Sequence, residues 1–210
     1  MGEATPGRVR PLSKRHARAA AGLHYTGIHT GFLRSLGVGF LWQLYAALSA
    51  CPSGFGFVWE GPDGEVLGFI VCAESTGRLY REALLRRGFL LALPLVRFLI
   101  RPSMVKRMWQ TLLYPVEVGA GLPPAEILSI AVSEKARGKG IGKALMVAAM
   151  EEFACRGIGR AKVAVGAGNE EANAFYRRCG FCLAARRTHH ALPMHVYVAE
   201  IPGPGRQAAP

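Results

Sequence analysis

Apolar positions follow two different periods along this chain, and the pattern predicts an α/β protein. Runs rich in β-branched and aromatic residues predict strands at 9–12, 54–60, 66–73, 125–132, 161–165, 182–190 and 194–201. Apolar residues at helical spacing predict helices at 13–23, 40–50, 141–153 and 169–180. Gly61-Pro62-Asp63-Gly64 predicts a hairpin turn between the second and third strands, and Leu192-Pro193 predicts the turn before the last strand.

The segment 76–117 separates the third and fourth predicted strands and is helical in character. It predicts three helices, at Tyr80–Arg87, Phe89–Ile100 and Ser103–Leu113. Its eight basic and two acidic residues give a net +6 of the chain's +12. The apolar run 89–96 is far shorter than the ~18 residues of a membrane span. We interpret the segment as an amphipathic insertion with solvated charges, and the alternatives are a lid, a surface for an acidic or lipid-linked substrate, or contact with an anionic membrane.

Composition is that of a folded protein. Of 210 residues, 50% are hydrophobic and 19% are charged, which predicts a single domain over 1–210 with a flexible tail at 202–210. The five cysteines lack the spacing of a disulfide framework, and the first residues lack the apolar core of a secretory signal, so we expect a cytoplasmic protein. The charge is basic, yet no aromatic-basic reading motif accompanies it, and nucleic acid is not expected as a partner.

A glycine-rich basic turn follows the strand at 125–132 and opens the helix at 141–153. Missing Cβ atoms let a ligand approach the backbone closely, and the helix N-terminus presents free N–H groups and partial positive charge. Such a turn binds phosphate or pyrophosphate. Its residues are Arg137, Gly138, Lys139, Gly140, Ile141, Gly142 and Lys143.

Two familiar phosphate-binding templates do not fit this turn. A P-loop requires glycine and a hydroxyl residue where the chain has Arg137 and Ala144. A dinucleotide-binding fingerprint requires glycine where the chain has Lys143 or Leu145. Neither template therefore identifies the phosphate ligand.

The spacing Arg137-x-x-Gly140-x-Gly142 resembles the pyrophosphate-binding motif of the GCN5-related N-acetyltransferase (GNAT) superfamily, which binds acetyl-CoA. A second motif, one helix and one strand later, resembles the other half of the same site. Its residues are Asn169, Ala172, Phe175, Tyr176, Gly180 and Phe181. The two motifs occur in the right order, and the resemblance covers roughly the last half of the chain strongly and the first half only in outline.

The resemblance implies a fold and a set of site residues. The fold is α/β, a mixed, mostly antiparallel central sheet flanked by helices, with 76–117 as a helical insertion before the acetyl-CoA-binding strand. The backbone of Ile130, Ala131 and Val132 binds the pantetheine arm, the turn at 137–143 binds the pyrophosphate, and Asn169 touches the cofactor. Tyr176 donates a proton to the leaving thiolate. Acetyl-CoA is the implied co-substrate, and no metal is expected.

The general base is less well defined by the sequence. Ala125-Glu126-Ile127 resembles the position of the catalytic glutamate in the histone acetyltransferases of the superfamily, so Glu126 is our candidate. The alternative for Glu126 is a solvent-facing residue at the start of a strand. Glu74, His24 and His29 are other candidates for the base.

The predicted activity is transfer of an acetyl group from acetyl-CoA to a primary amine by direct attack in a ternary complex. The long insertion favours a small-molecule acceptor such as an amino sugar. A protein or peptide acceptor is the alternative within the enzyme class. A non-catalytic acyl-CoA sensor and a membrane-surface module are alternatives outside it.

Overall fold

A computed structural model describes residues 7–28, 32–96, 121–189 and 192–203. Seven strands form one sheet in the order β1-β2-β3-β4-β5-β7-β6. The strands are β1 Arg8–Pro11, β2 Gly54–Glu60, β3 Val66–Ala73, β4 Glu126–Val132, β5 Arg160–Gly166, β6 Cys182–His189 and β7 Leu192–Glu200. Every neighbouring pair is antiparallel except β4 and β5, which run parallel. The predicted mixed, mostly antiparallel sheet is confirmed.

Helices cover both faces of this sheet. They are α1 Ala17–Gly27, α2 Phe32–Ser35, α3 Val38–Leu48, α4 Thr76–Val96, α5 Ile141–Cys155 and α6 Glu170–Arg178, with 3₁₀ turns at Lys14–His16 and Glu134–Ala136. On one face α1, α3 and the start of α4 bury a core around Tyr45 and Phe69. On the other face α5 and α6 bury a second core around Phe153 and Tyr197. Strand β3 in the middle of the sheet is therefore covered by apolar side chains on both faces, whereas β6 at the edge is largely exposed.

Strands β4 and β5 form a fork. Their parallel ladder joins only Glu126 to Lys162 and Ile127 to Val163. On the other edge of β4, the register against β3 shifts, so that Cys72 faces Ile127 and Val71 faces Ser129. A bulge of this kind bends the strand and re-aims its side chains. Beyond Ile127, β4 keeps its pairing with β3 and leaves β5, which opens a gap in the middle of the sheet.

Several sequence predictions of local structure are corrected by the described residues. The helices predicted at Tyr80–Arg87 and Phe89–Ile100 begin as one helix, α4, which starts earlier and continues through Gly88 as far as Val96. One glycine costs a helix only ~1 kcal/mol, which neighbouring good helix formers offset. The helix predicted at Ser103–Leu113 lies outside the described residues.

The turn predicted at Leu192-Pro193 is also wrong, because both residues belong to β7 and lie opposite His189 and Thr188 of β6. Proline is tolerated there because it stands near the beginning of the strand. The short helix α2 had no sequence signal of its own.

Candidate active site

The glycine-rich turn forms the N-terminus of α5. Gly138 and Gly140 have φ angles of 75° and 79°, in the left-handed region that favours glycine. Gly140 is the N-cap, and its carbonyl accepts the first helical hydrogen bond from the Ala144 N–H at 3.0 Å. The N–H groups of the first turn have no carbonyl four residues earlier within the helix. They and the partial positive charge of the helix end suit a phosphate.

Basic side chains surround this helix end. Arg137, Lys139 and Lys143 are all exposed. The Arg137 guanidinium lies 4.0 Å from the carboxylate of Glu171, which is also exposed. Because an exposed pair at that distance is weak, Arg137 can exchange its partner for a phosphate at little cost.

Helix α6 lies directly beside the N-terminus of α5. A Cβ built on Gly142 would stand 3.4 Å from the Phe175 ring. Asn169 is the N-cap of α6, and its side-chain oxygen accepts from the Ala172 N–H at 3.1 Å. The two sequence motifs thus meet in the structure, with Phe175 packed against the glycine-rich turn.

The described edge of β4 beyond the fork has no strand beside it on the β5 side. Ile130, Ala131 and Val132 pair with Ile70, Phe69 and Gly68 of β3 on the other edge. The family resemblance implies that the backbone groups of these three residues on the β5 side bind the pantetheine arm. An unpaired strand edge offers the hydrogen bonds that an extended amide chain requires.

Tyr176 lies beneath this site, in the core between α6 and the sheet. It is 5% exposed, and its ring packs edge-on against Phe175 and Phe181, with centroids 5.4 and 5.7 Å away. Burial raises the pKa of the Tyr176 phenol, and the nearby thiols of Cys72 and Cys179 raise it further. The phenol therefore stays protonated at neutral pH, as a proton donor requires.

Asn173 holds α6 in place, a role that sequence reasoning missed. Its side-chain amide donates to the carbonyls of Gly166, at 3.0 Å, and Asn169, at 2.6 Å. Its oxygen accepts from the Tyr197 hydroxyl at 2.8 Å and lies 2.9 Å from His195 Nδ1. The signal in the sequence was a polar residue one turn before Tyr176, on the same buried face of the helix.

Replacing Asn173 with alanine should lower the free energy of unfolding by about 1–3 kcal/mol, because it leaves the buried Tyr197 hydroxyl without its acceptor, while the Gly166 and Asn169 carbonyls keep their backbone donors. Chemical denaturation measures the change. Tyr197→Phe removes one of the same hydrogen bonds and should cost less. A loss below about 0.5 kcal/mol for Asn173→Ala, the size of an ordinary surface substitution, would contradict this role.

Glu126 lies at the closed end of the fork and is buried, so the solvent-facing alternative is wrong. Its carboxylate accepts from the Thr76 hydroxyl at 2.7 Å and lies 3.7 Å from the Lys162 ammonium. Lys162 is also buried and donates to the Pro123 carbonyl at 2.7 Å. The sequence did not reveal this buried pair, because it depends on the parallel register of β4 and β5.

Glu126 and Tyr176 lie on opposite faces of the sheet. Ile127 and Val163 point into the core beneath α5 and α6, as does Tyr176. Since side chains alternate along a strand, Glu126 and its β5 partner Lys162 point toward the opposite face, which α1, α3 and α4 cover. The two candidate catalytic groups are therefore on opposite sides of the sheet, and both are buried.

Of the other candidates for the base, Glu74 is engaged in ion pairs. Its carboxylate lies 2.7 Å from the guanidinium of Arg156 and 3.7 Å from that of Arg78. Arg156 in turn stacks over the Phe55 ring at 4.6 Å. These contacts give Glu74 a role in joining α4, α5 and the sheet. His29 lies outside the described residues.

His24 is buried near the end of α1, with Nδ1 2.6 Å from the Tyr45 hydroxyl. Burial lowers the pKa of His24 from 6.5 to about 4. The imidazole is therefore neutral at neutral pH.

The lowered pKa of His24 predicts a pH dependence of stability. Below pH 6.5 the unfolded chain binds a proton that the folded chain binds only near pH 4, so the free energy of unfolding should fall across that window. The expected contribution is about 3 kcal/mol. Urea unfolding of the wild type and of His24→Gln at several pH values measures it. Equal slopes for the two proteins between pH 6.5 and 4 would contradict the assignment.

Comparison with known proteins identifies the fold. A profile described as the acetyltransferase (GNAT) family matches residues 27–181. The chain belongs to this family, whose members use acetyl-CoA. No curated protein sequence gives a significant match.

Solved structures of the same fold are similar over nearly the whole chain. The ribosomal-protein-S18-alanine N-acetyltransferase from Escherichia coli is 14% identical, with a TM-score of 0.60, covering 97% of this chain and 99% of that one. A GCN5-related N-acetyltransferase from Kribbella flavida is 18% identical, with a TM-score of 0.60 and coverage of 92% and 97%. The spermidine/spermine N-acetyltransferase SpeG from Vibrio cholerae is 14% identical, with a TM-score of 0.55 and coverage of 94% of each chain.

Proposed function

We propose that the protein transfers an acetyl group from acetyl-CoA to a primary amine of a small molecule, by direct attack in a ternary complex. The observation that supports this most is the fork between β4 and β5, which opens beside the glycine-rich N-terminus of α5. Acetyl-CoA supplies an activated thioester. The chain supplies a phosphate site, an unpaired strand edge and titratable groups on both sides of the gap.

The residues fit acetyl-CoA by their chemistry. Free N–H groups and the side chains of Arg137, Lys139 and Lys143 would hold the pyrophosphate, with Gly138, Gly140, Ile141 and Gly142 forming the turn. The backbone of Ile130, Ala131 and Val132 would hold the pantetheine arm. Asn169 already caps α6 with its oxygen, so its amide nitrogen is the part available to the cofactor.

Two side chains would move protons. Tyr176, kept neutral by burial, would protonate the departing thiolate. Glu126 would accept a proton from the amine, through water if the amine does not reach it. Its pairing with Lys162 also gives Glu126 a structural role, and the two roles are separable by experiment.

The helices on the α1 face carry a net positive charge. This charge favours a small acceptor amine that does not itself carry several positive charges. Helices α1 to α4 contain six arginines and one glutamate. They would repel a polyamine, which is the substrate that the name of the Vibrio neighbour gives. An amine that is otherwise neutral or anionic, such as an amino sugar or its phosphate, suits this face better.

The alternatives to this proposal concern the acceptor and the enzymatic activity itself. A protein or peptide acceptor is the alternative acceptor, as for the Escherichia coli neighbour. A sensor that binds acyl-CoA without turnover is the alternative to an enzyme.

Within the described part of the chain, no helix is both long and apolar enough to cross a membrane. Five free cysteines agree with the cytoplasmic location that we propose.

The test is release of free thiol from acetyl-CoA in the presence of amino sugars, their phosphates, amino acids, polyamines and basic peptides. We expect turnover with a neutral or anionic small amine and little with spermidine. Turnover confined to peptides would replace the proposed acceptor. Binding of acetyl-CoA without turnover on any amine would favour the sensor.

A further inference from the structure

The first residue of α4, Thr76, is hydrogen-bonded to the buried carboxylate of Glu126. Its hydroxyl donates to Glu126 Oε2 at 2.7 Å, and the Lys162 ammonium lies 3.7 Å from the same oxygen. Thr76 is 2% exposed and Glu126 is 4% exposed. Water competes little for a hydrogen bond at this depth, and a hydrogen bond to a charged acceptor is stronger than one between neutral groups.

Ser75 caps α4, which leaves the Thr76 hydroxyl for another partner. The Ser75 carbonyl accepts the first helical hydrogen bond, from the Leu79 N–H at 2.9 Å, and its side-chain oxygen accepts from the Arg78 N–H at 3.5 Å. Serine and threonine hydroxyls near a helix start commonly bond to nearby backbone groups. The Thr76 hydroxyl instead bonds to a side chain 50 residues further along the chain, on β4.

Packing fixes the start of α4 against the sheet. Leu79 and Ala83 are buried in the core on the α1 face, and their spacing places them on the same side of the helix as Thr76. Glu82 adds a second anchor, because its carboxylate accepts from the backbone N–H of Ser53 at 3.1 Å and from its hydroxyl at 2.7 Å. The Thr76 hydroxyl is therefore held at one place beside β4.

A donor at this place changes the chemistry of the carboxylate. An ionised carboxylate can only accept hydrogen bonds, so the proton of the Thr76 hydroxyl lies between the two oxygens. Such a bond favours the ionised form over the protonated one, and a general base must be ionised to accept a proton. The bond also fixes the direction in which the carboxylate points.

Other titratable groups also act on Glu126 in the described part of the chain. Lys162 reaches it from β5, while its β3 partner, Ala73, carries no charge. Tyr80 lies one helical turn after Thr76. Burial raises the pKa of the Tyr80 phenol, and the charge of Glu126 raises it further. Tyr80 is therefore neutral at neutral pH and adds no second negative charge beside the carboxylate.

We infer that Thr76 is a positioning residue for Glu126, and that its hydroxyl holds the carboxylate ionised and in a fixed orientation. The inference rests on the proposed function, in which Glu126 is the base, and adds a residue to it. It also gives the first turn of α4, where the helical insertion begins, a part in the reaction.

The pH dependence of kcat in two variants of Thr76 tests the inference. Thr76→Val keeps the branched shape and removes the hydroxyl, whereas Thr76→Ser keeps the hydroxyl. We expect Thr76→Val to move the acidic limb of the profile upward by about one pH unit, the size of one hydrogen bond to a charged group. Thr76→Ser should restore the limb of the wild type. The acceptor is the amine that gives the fastest thiol release.

Thr26→Val is the matched control. Thr26 is exposed, and its hydroxyl donates to the Gly22 carbonyl within α1 at 3.0 Å. The same loss of a hydroxyl there should leave the pH profile unchanged. An equal displacement of the acidic limb in Thr26→Val and Thr76→Val would overturn the inference.

Carbon-13 NMR of the glutamate carboxyl groups gives a second readout that requires neither substrate nor turnover. The Glu126 signal is the one that is missing from the spectrum of Glu126→Gln. Its titration midpoint should rise in Thr76→Val by the same amount as the acidic limb of kcat. In Thr76→Ser it should equal the midpoint of the wild type.

The outcomes separate the inference from the proposed function. An unchanged Glu126 midpoint in Thr76→Val, even with a lower free energy of unfolding, would overturn the inference while the activity stands. A raised midpoint without a matching change in the kcat profile would show that Glu126 is not the base, and would overturn that assignment together with the inference. Failure of the wild type to acetylate any amine would overturn the proposed function, and with it a role for Thr76 in the reaction.

Discussion

Replacing Glu126 with glutamine is expected to lower both kcat and stability, and the two losses should have different causes. If Glu126 takes a proton from the amine, its removal should lower kcat by ~10²-fold or more. The same change leaves the ammonium of Lys162 buried beside a neutral amide, at the place where the carboxylate lay 3.7 Å away. Breaking a buried ion pair on one side costs ~3–5 kcal/mol, which should appear as a lower free energy of unfolding.

The double variant Glu126→Gln/Lys162→Met separates these causes. Removing both charges leaves no unpaired ion in the core, so most of the lost stability should return. The kcat should stay low, because the base is still missing. Recovery of kcat together with stability would show that Glu126 acts only through the fold, and the base would have to be sought among other residues.

Tyr176→Phe is expected to lower kcat by ~10²-fold with almost no effect on folding or on acetyl-CoA affinity. Phenylalanine keeps the edge-on contacts with Phe175 and Phe181 and removes only the hydroxyl. In the wild type the raised pKa of Tyr176 keeps the phenol proton in place even at a pH above 10.0, the ordinary pKa of tyrosine. Loss of the Tyr176 proton should therefore cause no fall in kcat between neutral pH and pH 10.0.

Steady-state kinetics of Tyr176→Phe, with Tyr25→Phe as the control, measures the change in kcat. Tyr25 is exposed, and the same loss of a hydroxyl there should leave kcat unchanged. A fall of less than about threefold for Tyr176→Phe would be too small for a general acid and would leave Tyr176 as a packing residue.

The sequence was sufficient for the parts of the site that depend on local structure. The glycine-rich turn and the start of α6 are short segments whose conformation follows from glycine φ angles, a cap and helical spacing. Their residues could be identified because each motif is contiguous.

The contacts that the sequence could not reveal join residues far apart in the chain. Lys162 meets Glu126 only because β4 and β5 are parallel neighbours with one particular register. His24 meets Tyr45 because α1 and α3 pack side by side. A polar residue in an apolar segment indicates that a partner exists, but the partner is set by tertiary packing.

The central claim is that the turn before α5 binds acetyl-CoA, and calorimetric titration of Gly140→Ala tests it most directly. Gly140 and Gly64 have nearly equal positive φ angles, 79° and 80°, and open space around a built Cβ, so alanine causes similar backbone strain at both. Gly64 lies in the β2–β3 turn, which contains none of the residues predicted to bind the cofactor. We predict that Gly140→Ala weakens acetyl-CoA binding about tenfold or more, consistent with ~1–3 kcal/mol of strain at the binding turn, while Gly64→Ala binds like the wild type. No binding to the wild type, or equal affinities for all three proteins, would contradict the account.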